Sequence, residues 1–232
     1  MLVASGDLTH GGRRDQHSRA AELLRSLGPP VLAVPGNHDI PHTVPARFLR
    51  TFDEFERQWQ TSEPVYRSET LLVAGLNSVR PWRHQSGGLS RAQLRRAAET
   101  LATAAPSALR AVVLHHQLIG APWRTRKKPV ARRDTVLASL VDAGAELILA
   151  GHVHQAAASE RREFEVVPGD QRAVVVATAP GLGQPRPKRR GEARGLNLCE
   201  VGDEALVIST YVWQNAGWAL TTVRRFPRDR RG

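Results

Sequence analysis

The sequence contains few cysteine, lysine and aromatic residues, and these shortages narrow what the protein can be. Among its 232 residues the single cysteine is Cys199, which excludes an internal disulfide and favours a reducing compartment such as the cytoplasm. Aromatic residues make up 5% of the chain. No apolar run is long enough to cross a bilayer, and the first residues lack the basic and apolar segments of a signal peptide. We therefore expect a cytoplasmic protein without a membrane partner.

Positive charge is abundant, and arginine supplies nearly all of it. The formal net charge is +11, while lysine occurs only at Lys127, Lys128 and Lys188. Such an excess is typical of proteins that bind nucleic acid, but it also arises from a coding preference for arginine, which we favour as the commoner cause. In either case the positive field would attract a substrate that carries phosphate.

The order of secondary structure predicts an α/β domain followed by antiparallel sheet. Strands are predicted at 2–5, 31–34, 71–76, 111–114 and 147–150, and helices at 16–27, 46–59, 90–104 and 132–143. Beyond residue 164 only strand-like runs follow, at 164–167, 174–178, 196–201, 205–211 and 218–224. We expect one domain over residues 1–224, with a loop at 181–194 and a basic tail at 225–232.

Polar clusters follow directly after the predicted strands, where ligands gather in α/β sheets. They contain the residue types that bind transition metals, namely imidazole, carboxylate and amide groups. Taken singly, each has an ordinary structural explanation, such as a turn for Gly-Asp. Together they predict one convergent site. The clusters are Gly6-Asp7, Gly36-Asn37-His38-Asp39, His115-His116 and Gly151-His152-Val153-His154.

The order of these motifs resembles that of the calcineurin-like metallophosphoesterases, in particular the bacterial cyclic-nucleotide phosphodiesterase type. The stretch from Val31 to Asp39 is specific in itself, and Gly88-Leu89-Ser90 with Gln93-Leu94 resembles the family's helix start. By motif the resemblance covers residues 1 to about 155. It implies a four-layer α/β/β/α sandwich of two sheets with helices outside.

The resemblance also implies two divalent or transition metal ions, such as manganese, iron or zinc. Asp7 would bridge both ions, Asn37, His115 and His152 would complete the second site, and His154 would bind the first ion. We further expect His152 and His154 to lie on extended backbone, where alternate side chains share one side.

Catalytic roles follow from the same resemblance. His38 would contact the phosphate and protonate the leaving oxygen, and Asp39 would orient His38. We take His115 as the ligand because it directly follows the strand. His116 would then lie behind His115 and support it without binding the metal.

The chain departs from the family pattern before Asp7, where the family has an Asp-x-His motif at the end of its first strand. Six residues precede Asp7, so we expect that motif and the first strand to be missing. The first metal site would then keep Asp7 and His154, and the second would keep all four of its ligands.

The predicted function is a metal-dependent phosphodiesterase that acts on a small nucleotide or another small diester. Loops 82–85 and 123–128 mix aromatic and basic residues, which suits contact with a base and a phosphate but equally suits solvated basic loops. The alternatives are a phosphomonoesterase, a nuclease, which needs a continuous basic groove that the dispersed arginines do not indicate, and a non-catalytic binding protein.

Overall fold

The computed structural model describes residues 1–121, 125–162, 173–183 and 192–228. The predicted run 164–167 and most of the predicted loop 181–194 lie outside them. None of the helices in the described ranges is long and apolar enough to span a bilayer. The elements are β1 (Leu2–Ala4), α1 (Arg14–Ser26), β2 (Val31–Ala33), α2 (Ala46–Leu49), α3 (Asp53–Trp59), β3 (Val65–Arg67), β4 (Leu71–Leu76), α4 (Arg91–Leu101), β5 (Leu109–Leu114), α5 (Arg133–Asp142), β6 (Leu147–Ala150), β7 (Ala157–Arg162), β8 (Ala173–Thr178), β9 (Gly195–Val201), β10 (Ala205–Gln214) and β11 (Gly217–Pro227).

A six-stranded sheet forms the centre of the fold, with strand order β3-β4-β5-β6-β8-β7. Strands β4, β5, β6 and β8 run parallel, and β3 and β7 pair antiparallel at the two edges. The parallel strands are continuous apolar runs because both faces of the sheet are covered. Their carboxyl ends therefore meet at one edge of the sheet.

A second β layer packs against this sheet. It contains the parallel pair β1–β2 and the antiparallel sheet β11-β10-β9. Apolar side chains from both layers form one cluster, in which Leu32 and Val34 meet Val113, Leu206 and Ile208. Burial of this cluster holds the two layers face to face.

Helices cover the outside on both faces. Leu101 of α4 and Leu140 of α5 pack against the central sheet, and Leu24 of α1 and Phe55 of α3 pack against β1–β2. Helix α4 begins at the predicted position because Ser90 and Gln93 form a capping box. The four-layer α/β/β/α sandwich is thereby confirmed.

Two predicted segments differ clearly in the structure. The predicted helix 46–59 is two short helices, and Phe48 and Leu49 are 51% and 76% exposed rather than part of one buried face. Buried Arg47 donates hydrogen bonds to the carbonyls of Pro41 and Pro81, which fixes α2 apart from α3. Strand β11 also extends to Pro227, into the segment assigned to a basic tail.

Candidate metal centre

The first polar cluster is held in a strained turn after β1. Gly6 and Asp7 both have left-handed backbone, with φ of 88° and 58°, and only Gly6 adopts it without steric cost. The turn lies against Gly36 so closely that a Cβ there would be 2.2 Å from the Asp7 backbone nitrogen. Asp7 Oδ1 accepts a hydrogen bond from the His38 backbone N–H at 3.0 Å. The ends of β1 and β2 thus place Asp7 beside the Gly-Asn-His-Asp turn.

His115, buried at the carboxyl end of β5, is the centre of the site. Its Nδ1 lies 2.8 Å from the Ser5 carbonyl oxygen, which can only accept, so Nδ1 carries a proton. Its Nε2 lies 3.3 Å from Asp7 Oδ1, 3.2 Å from Asn37 Oδ1 and 3.1 Å from His152 Nδ1. We call these atoms, with His115 Nε2, the four-donor cluster.

His152 directs the lone pair of its Nδ1 atom at the four-donor cluster. Its Nε2 donates to the Gln85 carbonyl oxygen at 3.0 Å, so in the neutral ring Nδ1 is the acceptor. Burial and the neighbouring His115 and His116 lower the pKa of His152, which keeps the ring neutral at physiological pH. The lone pair of His152 Nδ1 and two side-chain oxygens therefore converge on His115 Nε2.

The donor set fits a metal ion. A proton on His115 Nε2 can serve one of its three neighbours at a time, whereas a metal ion accepts lone pairs from all four atoms. Ligands about 2.0–2.2 Å from such an ion lie roughly 3–3.5 Å from one another, close to the spacing seen here. The second carboxylate oxygen, Asp7 Oδ2, is buried without a hydrogen-bond partner among the described residues. A cation would stabilise this oxygen too.

The charge of Asp7 is maintained in spite of its burial. Burial alone would raise the pKa of this carboxyl group, but His115 and His38 outweigh it and hold the pKa well below its usual range. Asp7 is therefore a carboxylate at neutral pH, as a metal ligand must be.

The backbone at His152 and His154 differs from the prediction. The expectation of extended backbone is wrong, because the chain turns after β6 and both His152 and His154 have left-handed φ, 68° and 58°. His154 Nε2 lies 3.3 Å from Nζ of Lys127, and its side chain is 34% exposed.

His116 lies at the site, although only its neighbour His115 was expected to bind the metal. The ring nitrogens of His115, His116 and His152 lie within 4.8 Å of one another. His116 Nδ1 is 2.9 Å from the Ser78 hydroxyl oxygen, and Nε2 is buried without a partner in the described part of the chain. Burial and His115 lower the pKa of His116. Ser78 was missed in the sequence, although it follows the carboxyl end of β4 and the strand-end rule applies to it.

Asp39 does not orient the His38 ring directly. Its two carboxylate oxygens accept backbone N–H groups of Thr9 and Gly36, both at 2.8 Å. The His38 ring instead lies with Nδ1 3.3 Å from the His10 carbonyl oxygen, so Nδ1 is the donor there. Burial and the nearby Asp7 charge raise the pKa of Asp39. Asp39 therefore acts on the site through the two turns that it joins.

The two predicted substrate loops are described in part. Trp82 is 66% exposed, while Trp123 and Arg124 lie outside the described residues. From the second loop, Lys127 Nζ contacts His154 Nε2.

Proteins of related sequence are phosphodiesterases by name. The chain is 28% identical over 174 residues to the 3′,5′-cyclic adenosine monophosphate phosphodiesterase CpdA of Haemophilus influenzae, covering 72% of this chain and 59% of that protein. It is 30% identical over 161 residues to a probable cyclic nucleotide phosphodiesterase of Synechococcus, covering 67% and 58%. The chain thus spans less than two thirds of the length of both relatives.

Solved structures show the same fold at low sequence identity. A dimetal phosphatase from Danio rerio matches with a TM-score of 0.65 and 14% identity, over 97% of this chain and 82% of that one. The structure of PhoD matches with a TM-score of 0.63 and 13% identity, over 87% and 53%. The family model for calcineurin-like phosphoesterases matches residues 1–156, which include every residue of the centre. The chain belongs to the calcineurin-like phosphoesterase family.

Proposed function

We propose that the protein is a metal-dependent phosphodiesterase that acts on a small nucleotide diester. One observation carries this proposal: three donor atoms, from the ends of β1, β2 and β6, lie within 3.1–3.3 Å of a fourth, His115 Nε2 at the end of β5. Such a set has no role in packing, because buried acceptors that face one another without a cation are destabilising.

Asp7, Asn37, His115 and His152 would hold a divalent or transition metal ion in the four-donor cluster. When bound, such an ion makes water a nucleophile at neutral pH and neutralises charge on the phosphate. The protein contributes the fixed positions of the donors, since the Ser5 and Gln85 carbonyls hold both imidazoles in the tautomer that offers its lone pair.

His38 would supply the proton for the leaving oxygen. Its Nδ1 is engaged by the His10 carbonyl, which leaves Nε2 as the ring atom able to exchange a proton with a substrate. In hydrolysis the water oxygen bonds to phosphorus, the bond from phosphorus to the leaving oxygen breaks, and that oxygen takes the proton from His38. The backbone of His38 is fixed by Asp7 and Thr9, so the ring starts from a defined position.

A small nucleotide is the proposed substrate for two reasons. The relatives named above are phosphodiesterases of cyclic nucleotides, and the exposed ring of Trp82 offers a surface on which a base could stack. The positive charge of the chain would favour the encounter with an anion.

The test is hydrolysis of bis(p-nitrophenyl) phosphate and of 3′,5′-cyclic AMP with added manganese, comparing the wild type with Asp7→Asn. This change keeps the shape of the side chain and its left-handed backbone but removes the ligand charge, so we expect activity to fall by about a hundredfold or more. The matched control is Asp15→Asn on exposed α1, which should keep full activity. Manganese-dependent turnover that survives Asp7→Asn unchanged would contradict the proposal.

A further inference from the structure

We propose that the outer face of the sheet β11-β10-β9 is a dimerisation surface, on which a second copy of this chain packs face to face. The inference is independent of the reaction proposed above, because none of the residues involved belongs to the candidate metal centre. It starts from large apolar side chains that point away from the core of the fold.

Burial alternates along these three strands and separates an inner face from an outer one. Leu206 and Ile208 of β10 point inward and join the apolar cluster between the two β layers. At the alternate positions, six large apolar side chains are between 37% and 56% exposed in the part of the chain that the structure describes. We call them the outer apolar face: Leu196, Leu198, Trp213, Trp218, Leu220 and Val223.

The strand register joins these side chains into one continuous surface. Trp213 and Trp218 pair across β10 and β11, with their ring centroids 5.3 Å apart. Two further rows follow beside this pair and cross the sheet from β9 to β11. They are Leu196-Tyr211-Leu220 and Leu198-Ser209-Val223.

The area of the outer apolar face suits the centre of a dimer interface. Six side chains of this size, each about half exposed, present on the order of 500 Å² of apolar surface, which is near the upper limit for a monomeric protein. A standard interface buries about 800 Å² on each partner and has an apolar, aromatic-rich centre with a polar rim. The two tryptophans supply the kind of side chain that dominates binding energy in such a centre.

The arrangement of charge indicates that the partner is a second copy. Glu200 of β9 and Arg225 of β11 are both exposed and lie in one row, on either side of Val207. A two-fold axis along β10 exchanges the positions of β9 and β11, so Glu200 of each copy would lie opposite Arg225 of the other. The same axis sets apolar row against apolar row. The strands of the two copies would then be nearly aligned, as in other face-to-face sheet packings.

The experiment measures the oligomeric state of residues 1–232 by sedimentation equilibrium, at concentrations from about 1 to 100 μM. We expect the wild type to reach twice the 25.5 kDa mass of one chain. Leu198→Asp places a charge in the apolar centre, so the dimer dissociation constant should rise about a hundredfold or more. The matched control is Leu23→Asp, at an exposed leucine of α1, and it should change the constant by less than about twofold.

A charge-reversal pair tests the two-fold arrangement without placing a charge among the apolar side chains. Glu200→Arg and Arg225→Glu should each raise the dissociation constant about tenfold, because each brings like charges together across the axis. The double variant restores opposite charges and should dimerise within about threefold of the wild type.

A wild type that stays monomeric over the whole concentration range would overturn the inference. A dimer that responds equally to Leu198→Asp and Leu23→Asp would also overturn it, since another surface would then join the two copies. A double charge-reversal variant that dimerises no better than the single variants would refute the two-fold axis along β10.

Discussion

The two ring nitrogens of His115 have different partners, and the difference defines the site. Nδ1 donates to the Ser5 carbonyl, so Nε2 can offer its lone pair to the four-donor cluster. The Gln85 carbonyl fixes His152 in the same way. Both supports come from the backbone, so the side chains at positions 5 and 85 can vary while the tautomers stay fixed. This is why neither residue carries a signal in the sequence.

For His38 we expect a variant that binds metal but turns over poorly. His38→Ala removes the ring that would protonate the leaving oxygen but none of the four donors, so manganese affinity should stay within about threefold. Loss of a general acid typically costs about 100- to 10,000-fold. The loss should be largest for cyclic AMP, whose alkoxide leaves poorly, and small for bis(p-nitrophenyl) phosphate, whose leaving group needs little help.

The comparison is the ratio of kcat/KM for the two substrates in wild type and His38→Ala. Glu99→Ala, on the exposed face of α4, is the control and should leave the ratio unchanged. An equal loss on both substrates would show that His38 positions the substrate rather than donating a proton.

Single-residue chemistry was predictable where a residue directly follows a buried strand. That rule singled out the clusters that contain Asp7, Asn37, His115 and His152, and the family resemblance named these four as ligands. The structure brings their donor atoms together. The position of His154 was not predictable, because it depends on left-handed φ values in a turn that sequence alone cannot distinguish from extended chain.

At the scale of elements, the turns after β1 and β2 form one interlocked unit. Asp39 accepts a backbone N–H from each turn, through Thr9 and Gly36, and the two backbones touch at Gly36. Neither turn can move without the other, so Asp7 and Asn37 keep a fixed separation.

Gly36→Ala should disrupt this unit. The added Cβ would lie 2.2 Å from the Asp7 nitrogen and 2.3 Å from Asp7 Oδ1, a distance that forces the turns apart. We expect the free energy of unfolding to fall by about 1–3 kcal/mol, as in other overpacked sites, and manganese affinity to fall with it. Urea unfolding and metal titration measure the two effects.

Gly120→Ala is the matched control, because a Cβ at Gly120 meets nothing within 4 Å. It should change neither quantity beyond about 0.5 kcal/mol. If Gly36→Ala is as stable as this control, the two turns are looser than the structure shows.

Elements were predictable from apolar periodicity where they are long and buried. The spans of β4 and β6 match their predicted bounds, and α4 begins at its predicted cap. The short edge strands β3 and β7 were missed, because their sequences, Val-Tyr-Arg and Ala-Ala-Ser-Glu-Arg-Arg, show no apolar run. The break between α2 and α3 depends on the long-range contacts of Arg47, which local periodicity does not contain.

For the whole molecule, the buried histidines predict how stability depends on pH. The pKa values of His116 and His152 are lowered from 6.5 in the folded protein. Below about pH 6.5 these two side chains therefore bind protons in the unfolded chain but stay neutral in the folded protein. Stability is then lost as the pH falls. Each group contributes up to about 1.4 kcal/mol per pH unit. The raised pKa of Asp39 acts in the opposite direction, but it is one group against two.

We expect the free energy of unfolding, measured with urea in EDTA, to fall by about 1–3 kcal/mol between pH 7.5 and 5.5. His116→Gln removes one of the two groups and should remove about half of the dependence. His84→Gln, which changes an exposed ring, should leave it intact. A stability that is the same at both pH values would show that these rings take up protons as readily in the folded protein as in the unfolded chain.

The half-buried position of Lys127 also makes this side chain a natural probe for chemical modification. Amine-selective reagents find few targets in a chain with three lysines, and of the two described, Lys128 is exposed while Lys127 is half-buried against His154. The mass increment on a peptide that carries Lys127 would therefore report whether the contact between Lys127 and His154 is intact, with Lys128 as an internal standard beside it. The extent of Lys127 modification could in this way be measured by mass spectrometry, without a chromogenic substrate or an engineered label.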